Sequence, residues 1–252
     1  RYKRDKKGRT TEIAYLNSEG KPKSTSWGLG IKRFKYDDED NWIEAVYLGY
    51  DEKPSLDDLD GISIYTMEYD EYGNIVNALN KSGDGKLMIS RKSKIAGVNY
   101  LYDDNGNRIK ETFLGPDKKP YYLGGASGMK IEYDKNGYVS KQTYIDTKGH
   151  NVLSEDGYCM AVAINDKHGN QIEVRDLGIK GEFVENIEGW AIRKCKYDAV
   201  GNCTELFHYD KNENLIIVNG GYTGMKAKYN DRNQIIKIVY YGLNPLLIGC
   251  HP

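Results

Sequence analysis

Residues 99–107 read NYLYDDNGN, and residues 194–202 read KCKYDAVGN. Each places a tyrosine and an aspartate two positions ahead of a glycine–asparagine pair, and versions of the phrase return along the chain. Taking the residue before each turn aspartate as a marker gives Arg4, Tyr36, Tyr69, Tyr102, Tyr133, Ile164, Tyr197 and Tyr229. Successive spacings of 32, 33, 33, 31, 31, 33 and 32 define about eight units of about 32 residues, a period typical of repeat architectures.

The phrase is a hairpin signal. Aspartate at the first turn position accepts hydrogen bonds from its own downstream amides, and glycine at the fourth takes the positive φ that closes a type I turn with a following bulge. The pattern Asp-x-x-Gly stands at 5–8, 70–73, 103–106, 134–137 and 198–201, while units two, six and eight read DDED, NDKHG and NDRN. Asn74, Asn107, Asn170 and Asn202 follow the glycine and suit the bulged backbone. Past each turn a strand is expected. Glu12, Glu44, Asn77, Lys110, Lys141, Glu173, Glu205 and Lys237 recur in the middle of that strand, each preceded by Thr11, Ile43, Val76, Ile109, Ser140, Ile172, Thr204 or Ile236. Two-residue alternation puts the first set toward solvent and the second toward the core. Eleven past the marker stand Tyr15, Tyr47, Phe113, Tyr144 and Tyr240, with Asn80, Arg175 and His208 where the pattern fails.

A second turn follows in SEGKP (18–22), DEKP (51–54), GDGKL (83–87) and DKKP (117–120), where proline and glycine stop the strand. The chain then restarts near a glycine, as in GVNYLYD (97–103), GMKIEYD (128–134) and GMKAKYN (224–230). Each unit therefore reads as two strands and two turns. Tyrosine numbers 22 and phenylalanine only 4, which suits pleated surfaces whose rings are buried and whose hydroxyls reach water. The expectation is an all-β chain of tandem β-hairpin repeats, as one elongated, twisted, solenoid-like body or as a closed propeller-like ring, with residues 1–252 as a single repeat domain. The first unit starts in mid-phrase without an initiator methionine, so a piece of a longer protein is expected.

YLYDDNGN (100–107), and more loosely CKYDAVGN (195–202), resemble the tyrosine-aspartate repeats of bacterial Rhs-type and wall-associated proteins. The unit spacing here is longer than in a typical repeat of that kind, and there is a looser similarity to wall-binding hairpin repeats. The resemblance implies a noncatalytic β scaffold at the cell surface or secreted, acting as a shell or stalk or capturing a ligand between hairpins.

Lys plus Arg number 36 against 37 Asp plus Glu, interspersed rather than blocked, which removes the electrostatic case for nucleic acid. Mean hydropathy is −0.70, and no apolar run approaches the length of a membrane span. Cys159, Cys195, Cys203 and Cys250 lack metal-ligand spacing. Cys195 and Cys203 are expected on paired strands one diagonal step apart, close to a disulfide geometry without being directly opposed; buried thiols are the ordinary alternative. His150 and His168 fall in turns, and His208 stands in a tyrosine slot. The acid-rich turns at 37–41, 57–61 and 103–107 fit no calcium-loop spacing. No catalytic residue, metal site or cofactor is expected, so the chain reads as a binding module for a glycan or protein ligand, with a structural spacer as the alternative and an enzyme third. Trp42, Trp27 and Trp190, with Tyr121 and Tyr122 behind them, are the candidate ligand-binding residues, because exposed aromatic faces stack on sugar rings or peptide side chains. Trp42 carries most of this expectation, since its slot holds Thr10, Arg108 and Gln171 in other units.

Overall fold

The computed structural model describes residues 1–23, 30–57, 59–243 and 247–251. Two compact units divide the chain, Arg1–Leu123 and Gly124–Pro252. Unit 1 contains β1 (Tyr2–Arg4), β2 (Thr10–Ala14), β3 (Ile31–Tyr36), β4 (Trp42–Leu48), β5 (Ile64–Tyr69), β6 (Ile75–Lys81), β7 (Gly97–Tyr102) and β8 (Arg108–Leu114). Unit 2 contains β9 (Gly128–Tyr133), β10 (Val139–Ile145), β11 (Met160–Asn165), β12 (Gln171–Leu177), β13 (Ile192–Tyr197), β14 (Cys203–Tyr209), β15 (Gly224–Tyr229), β16 (Ile235–Tyr241) and β17 (Leu247–His251). Within each unit every strand pairs antiparallel with the next in sequence. Among the described residues, neither unit's last strand pairs with its first, and neither sheet closes into a ring. The chain is all-β, built of tandem hairpin repeats, with no helix among the described residues.

The repeated phrase is explained by the turn after β7. Asp103 Oδ1 accepts the amides of Asn105 at 3.0 Å and Asn107 at 2.8 Å, while Asn107 Nδ2 donates to Oδ2 at 3.0 Å. The same three bonds recur at Asp70, Asp166 and Asp198. The asparagine is thus a fastener as well as a residue suited to the bulge. Gly106 has φ 78°; in the turns that lack glycine, Asp40 at 71° and Asn233 at 57° take its place, as aspartate and asparagine do more readily than other side chains. A Cβ at Gly106 would meet nothing within 4 Å. Gly106→Val should therefore cost about 1 kcal/mol or somewhat more through backbone strain alone, and an unchanged midpoint in urea would contradict this turn geometry.

The tyrosine of the phrase clasps one hairpin to the hairpin before it. The hydroxyls of Tyr36, Tyr69, Tyr102, Tyr197 and Tyr229 donate to the carbonyls of Thr10, Trp42, Ile75, Gln171 and Cys203, at 2.8 to 3.2 Å. Each acceptor lies six residues past the preceding marker, with Asn165 as the marker before Gln171, so a half-buried carbonyl at the strand start is satisfied by the next repeat. In the sixth unit this position belongs to Asn165, not to Ile164 as the sequence reading had it. The turn there is 166–169, with the Gly169 amide donating to the Asp166 carbonyl, and Asn165 Nδ2 donates to the Val139 carbonyl at 2.9 Å. With Asn165 as marker, the slot eleven residues on holds Asp176 rather than Arg175.

Among the described residues, five repeats make three turns where the sequence suggested two. After the second turn the chain folds back on its own strand: the amides of Ser55, Met88, Tyr121, Val152, Val184 and Ile216 donate to the carbonyls of Tyr47, Asn80, Phe113, Tyr144, Asp176 and His208. A third turn then leads into the next strand at 57–61, 90–94, 154–157, 186–189 and 218–221. This return overturns the expected alternation of faces. Glu12 is only 3% exposed, whereas Ile172 and Ile236 are 37% and 54% exposed. The second strand of a hairpin is buried toward its end, near the return segment, at Ala14, Leu48, Leu79, Leu114 and Ile145. Two of the mid-strand acids are instead held by cations from both sides. Glu12 meets Arg1, Lys3 and Arg33 at 2.9 to 3.1 Å, and Glu205 meets Lys196 and Lys226. Burial alone would push the Glu12 carboxyl up, but these bonds outweigh it and draw it down to about 2. Unit 1 should accordingly lose this contribution as pH falls from the ordinary carboxylate range toward 2. An acid titration of wild type against Glu12→Gln checks this: the two melting curves should converge in acid, and a constant gap would contradict it.

Candidate functional site

In unit 1, the restart of one strand and the fold-back of the one before it leave a cavity of about 390 Å³ whose walls include four aromatic side chains among aliphatic and polar ones. Trp42, Tyr47, Tyr65 and Tyr100 line it together with Asp60 and Asn80. Trp42 begins β4 and meets Phe34 edge-on at 6.3 Å and Tyr65 tilted at 5.7 Å between ring centres. It is half-buried, a wall of the groove rather than the isolated exposed ring expected from its slot. The strand pairing Tyr36↔Trp42 leaves the ring between those of β3 and β5. Lys32 Nζ lies 4.8 Å from the Tyr47 ring centre and 5.1 Å from that of Phe34, and burial lowers its pKa against the pull of Asp57 and Asp60. The Tyr47 hydroxyl is pushed up to about 12, chiefly by burial and further by Asp57 and Asp60, so at neutral pH it is a neutral donor. Polar capacity comes from Asp60, Ser93 and Asn80, whose Nδ2 donates to the Ile95 carbonyl at 3.1 Å. The groove thus offers flat rings flanked by a few hydrogen-bonding groups, an arrangement suited to binding.

Trp190 lies in unit 2, 9% exposed, its ring 5.7 Å from His208 and its Nε1 donating to Glu188 Oε2 at 3.0 Å. It continues a row of stacked rings, with His208 next to Tyr222 at 6.1 Å and Tyr222 next to Tyr240 at 5.0 Å. The His208 pKa is lowered by burial, against a bond to the Thr223 carbonyl, which suits a neutral core ring. A cavity of about 250 Å³ opens beside Trp190, with Tyr158, Asp176 and Arg193 among its walls. Tyr121 is half-buried against Gly115, and Tyr122 is 59% exposed; neither lines either cavity. Trp27 lies outside the described residues. Tyr47, Tyr65 and Tyr100 were not among the sequence candidates: the slots of Tyr47 and Tyr100 carry aromatic residues in several repeats, whereas Tyr65, whose slot holds Lys32, Val98, Met129, Ala161, Arg193 and Met225 elsewhere, was a distinguishable signal. Cys159, Cys195 and Cys203 are free thiols. The pairs Cys195↔Leu206 and Tyr197↔Cys203 set the last two diagonally. Among the described residues, no group of three or more His, Cys, Asp or Glu is arranged to hold a metal ion.

No family model matches the chain, and no curated protein matches it. Solved structures similar to it include TcdB2-TccC3-Cdc42, at 11% identity and a TM-score of 0.48 over 95% of this chain and 11% of that one. They also include the Tc holotoxin pore of Photorhabdus luminescens carrying TccC3-D651A, at 14% identity and 0.34 over 85% of this chain and 12% of that one. A third, TcdB2-TccC3-TEV, has 11% identity and a TM-score of 0.31 over 98% and 14%. The chain spans only 11–14% of the length of these matches, and likeness at this level assigns it no activity or partner.

Proposed function

We propose that the chain is a noncatalytic repeat module of a bacterial surface or secreted protein that holds a glycan in the groove of unit 1. The observation that supports this reading is the convergence of Trp42, Tyr47, Tyr65 and Tyr100 on one cavity together with Asp60 and Ser93. Sugar rings present an apolar face to aromatic planes and a hydroxyl rim to hydrogen-bonding groups, and both are met here. Trp42 is the residue with most to lose, since its slot needs no aromatic for the hairpin: the clasp uses only its carbonyl. Binding of the whole chain to an array of bacterial cell-wall glycans tests this, with Trp42→Ala as the comparison. The variant should lose at least tenfold in affinity while keeping a cooperative melt; equal binding by the two proteins, or no binding by wild type, rejects the groove. A spacer role is the second reading, favoured by the fact that turn fasteners and tyrosine clasps recur in most repeats while the aromatic groove does not.

A further inference from the structure

The cavity beside Trp190 occupies the same place in its repeats as the Trp42 groove does in unit 1. Counting from the markers, Tyr158 and Trp190 stand where Ile62 and Ile95 do, and Asp156 and Glu188 stand where Asp60 and Ser93 do. The Ile187 amide donates to the Asp156 carbonyl at 2.8 Å, as the Arg91 amide does to the Asp60 carbonyl at 2.7 Å. What differs is the chemistry. Asp176 fills the slot that Tyr15, Tyr47, Phe113, Tyr144 and Tyr240 hold elsewhere, and it is only 2% exposed. Among the described residues its side chain accepts one hydrogen bond, from Asn186 Nδ2 at 2.8 Å.

Arg193 lines the same cavity. Its guanidinium carbon is 5.8 Å from the Trp190 ring centre, its Nε is buried without a hydrogen-bond partner, and it forms no ion pair among the described residues. A buried carboxylate and an unsatisfied guanidinium nitrogen on one cavity, not bonded to each other, cost stability. Polar groups left in that condition mark sites that a ligand completes. The charges select the ligand. Asp156, Asp176 and Glu188 disfavour a simple anion, and Arg193 over the Trp190 ring disfavours a simple amine. The 250 Å³ available equals the liquid volume of about eight waters, room for a molecule with a similar number of heavy atoms.

We propose that this cavity binds a free α-amino acid as its zwitterion, the ammonium against Asp176 and Asp156, the carboxylate on Arg193 and the side chain along Trp190. The site belongs to unit 2 and does not rest on the glycan reading of unit 1. Calorimetric titration of the whole chain with the common α-amino acids tests it, with methylamine and acetate as half-ligands. At least one amino acid should bind at least tenfold more tightly than either half-ligand, and Asp176→Asn and Arg193→Lys should each weaken it at least tenfold while melting cooperatively. Trp42→Ala should leave it unchanged. Arg193→Gln serves as a second variant should the lysine protein fail to fold. The proposal is overturned if no amino acid binds wild type up to about 10 mM, equivalent to about −3 kcal/mol. It is equally overturned if methylamine or acetate binds as well as the amino acid, or if the folded variants bind like wild type.

Discussion

Gly97→Val is expected to destabilise unit 1 by about 3 kcal/mol or more, among the largest effects of any single substitution in the chain. Gly97 opens β7 directly opposite Leu79 of β6. A Cβ built there would lie 2.6 Å from the Ala78 carbonyl oxygen and 2.5 Å from Leu79 Cδ2. The leucine tip can turn aside, but the carbonyl belongs to a paired strand and cannot. Gly224 is under the same constraint against the Leu206 carbonyl, which explains why a glycine recurs where the strand restarts. The contrast with Gly106 separates two uses of one residue type, since Gly106 has open space and a positive φ while Gly97 is crowded. Urea unfolding of the two valine variants should show the larger loss at Gly97, and the reverse order would mean that strain, not contact, fixes the restart.

Asp176→Asn should instead stabilise the protein at neutral and higher pH. Burial pushes the Asp176 carboxyl up to about 6, only partly offset by the Asn186 bond and the Arg193 charge, with Asp156 raising it further. A carboxyl whose folded pKa is raised favours folding most when protonated. Its contribution is complete below the ordinary value of 3.8 and is lost as pH rises through about 6. By pH 8 the ionised form costs up to about 3 kcal/mol, and asparagine should recover about 1–3 kcal/mol of it. His208 acts in the opposite sense. Its lowered pKa gives stability that is present above the ordinary imidazole range and lost as pH falls, so the wild-type curve alone blends the two. The difference between wild type and variant removes the His208 part. That difference should grow from about pH 4 to somewhat above pH 6 and then level off, and a flat one would contradict a carboxyl raised by burial.

The turn phrase and its spacing were sufficient to place the hairpins, because Asp103, Gly106 and Asn107 act within five residues of one another and leave a local mark. Faces of the strands were not legible in the same way. Alternation assigns a residue to a side, but the burial of Glu12 depends on Arg1, Lys3 and Arg33 from adjoining strands and that of Leu48 on the returning segment. The third turn is less uniform than the first: Asp57, Ser90, Ser154 and Asn186 are turn-favouring residues, but the fifth case starts with Val218 and the closing bond spans four residues in some repeats and three in others, so no single phrase marks it. One slipped marker at Ile164 was enough to put Arg175 in the slot of Asp176 and to hide the one buried acid in the aromatic row. Trp42 was legible as an aromatic out of place. Its partners were not, since Tyr65 meets it from β5 and Tyr100 joins the same cavity from β7.

The glycan groove is the central claim, and the three tryptophans of the chain provide its most direct test. Their indole N–H signals can be followed one by one in a nitrogen–proton correlation spectrum while solubilised bacterial cell-wall glycan fragments are added. Saturable movement of the Trp42 signal, with the Trp190 signal left in place, is the predicted result. A Trp42 signal unmoved by fragments that bind the protein, or by any fragment tried, would contradict the groove and leave the chain a structural spacer.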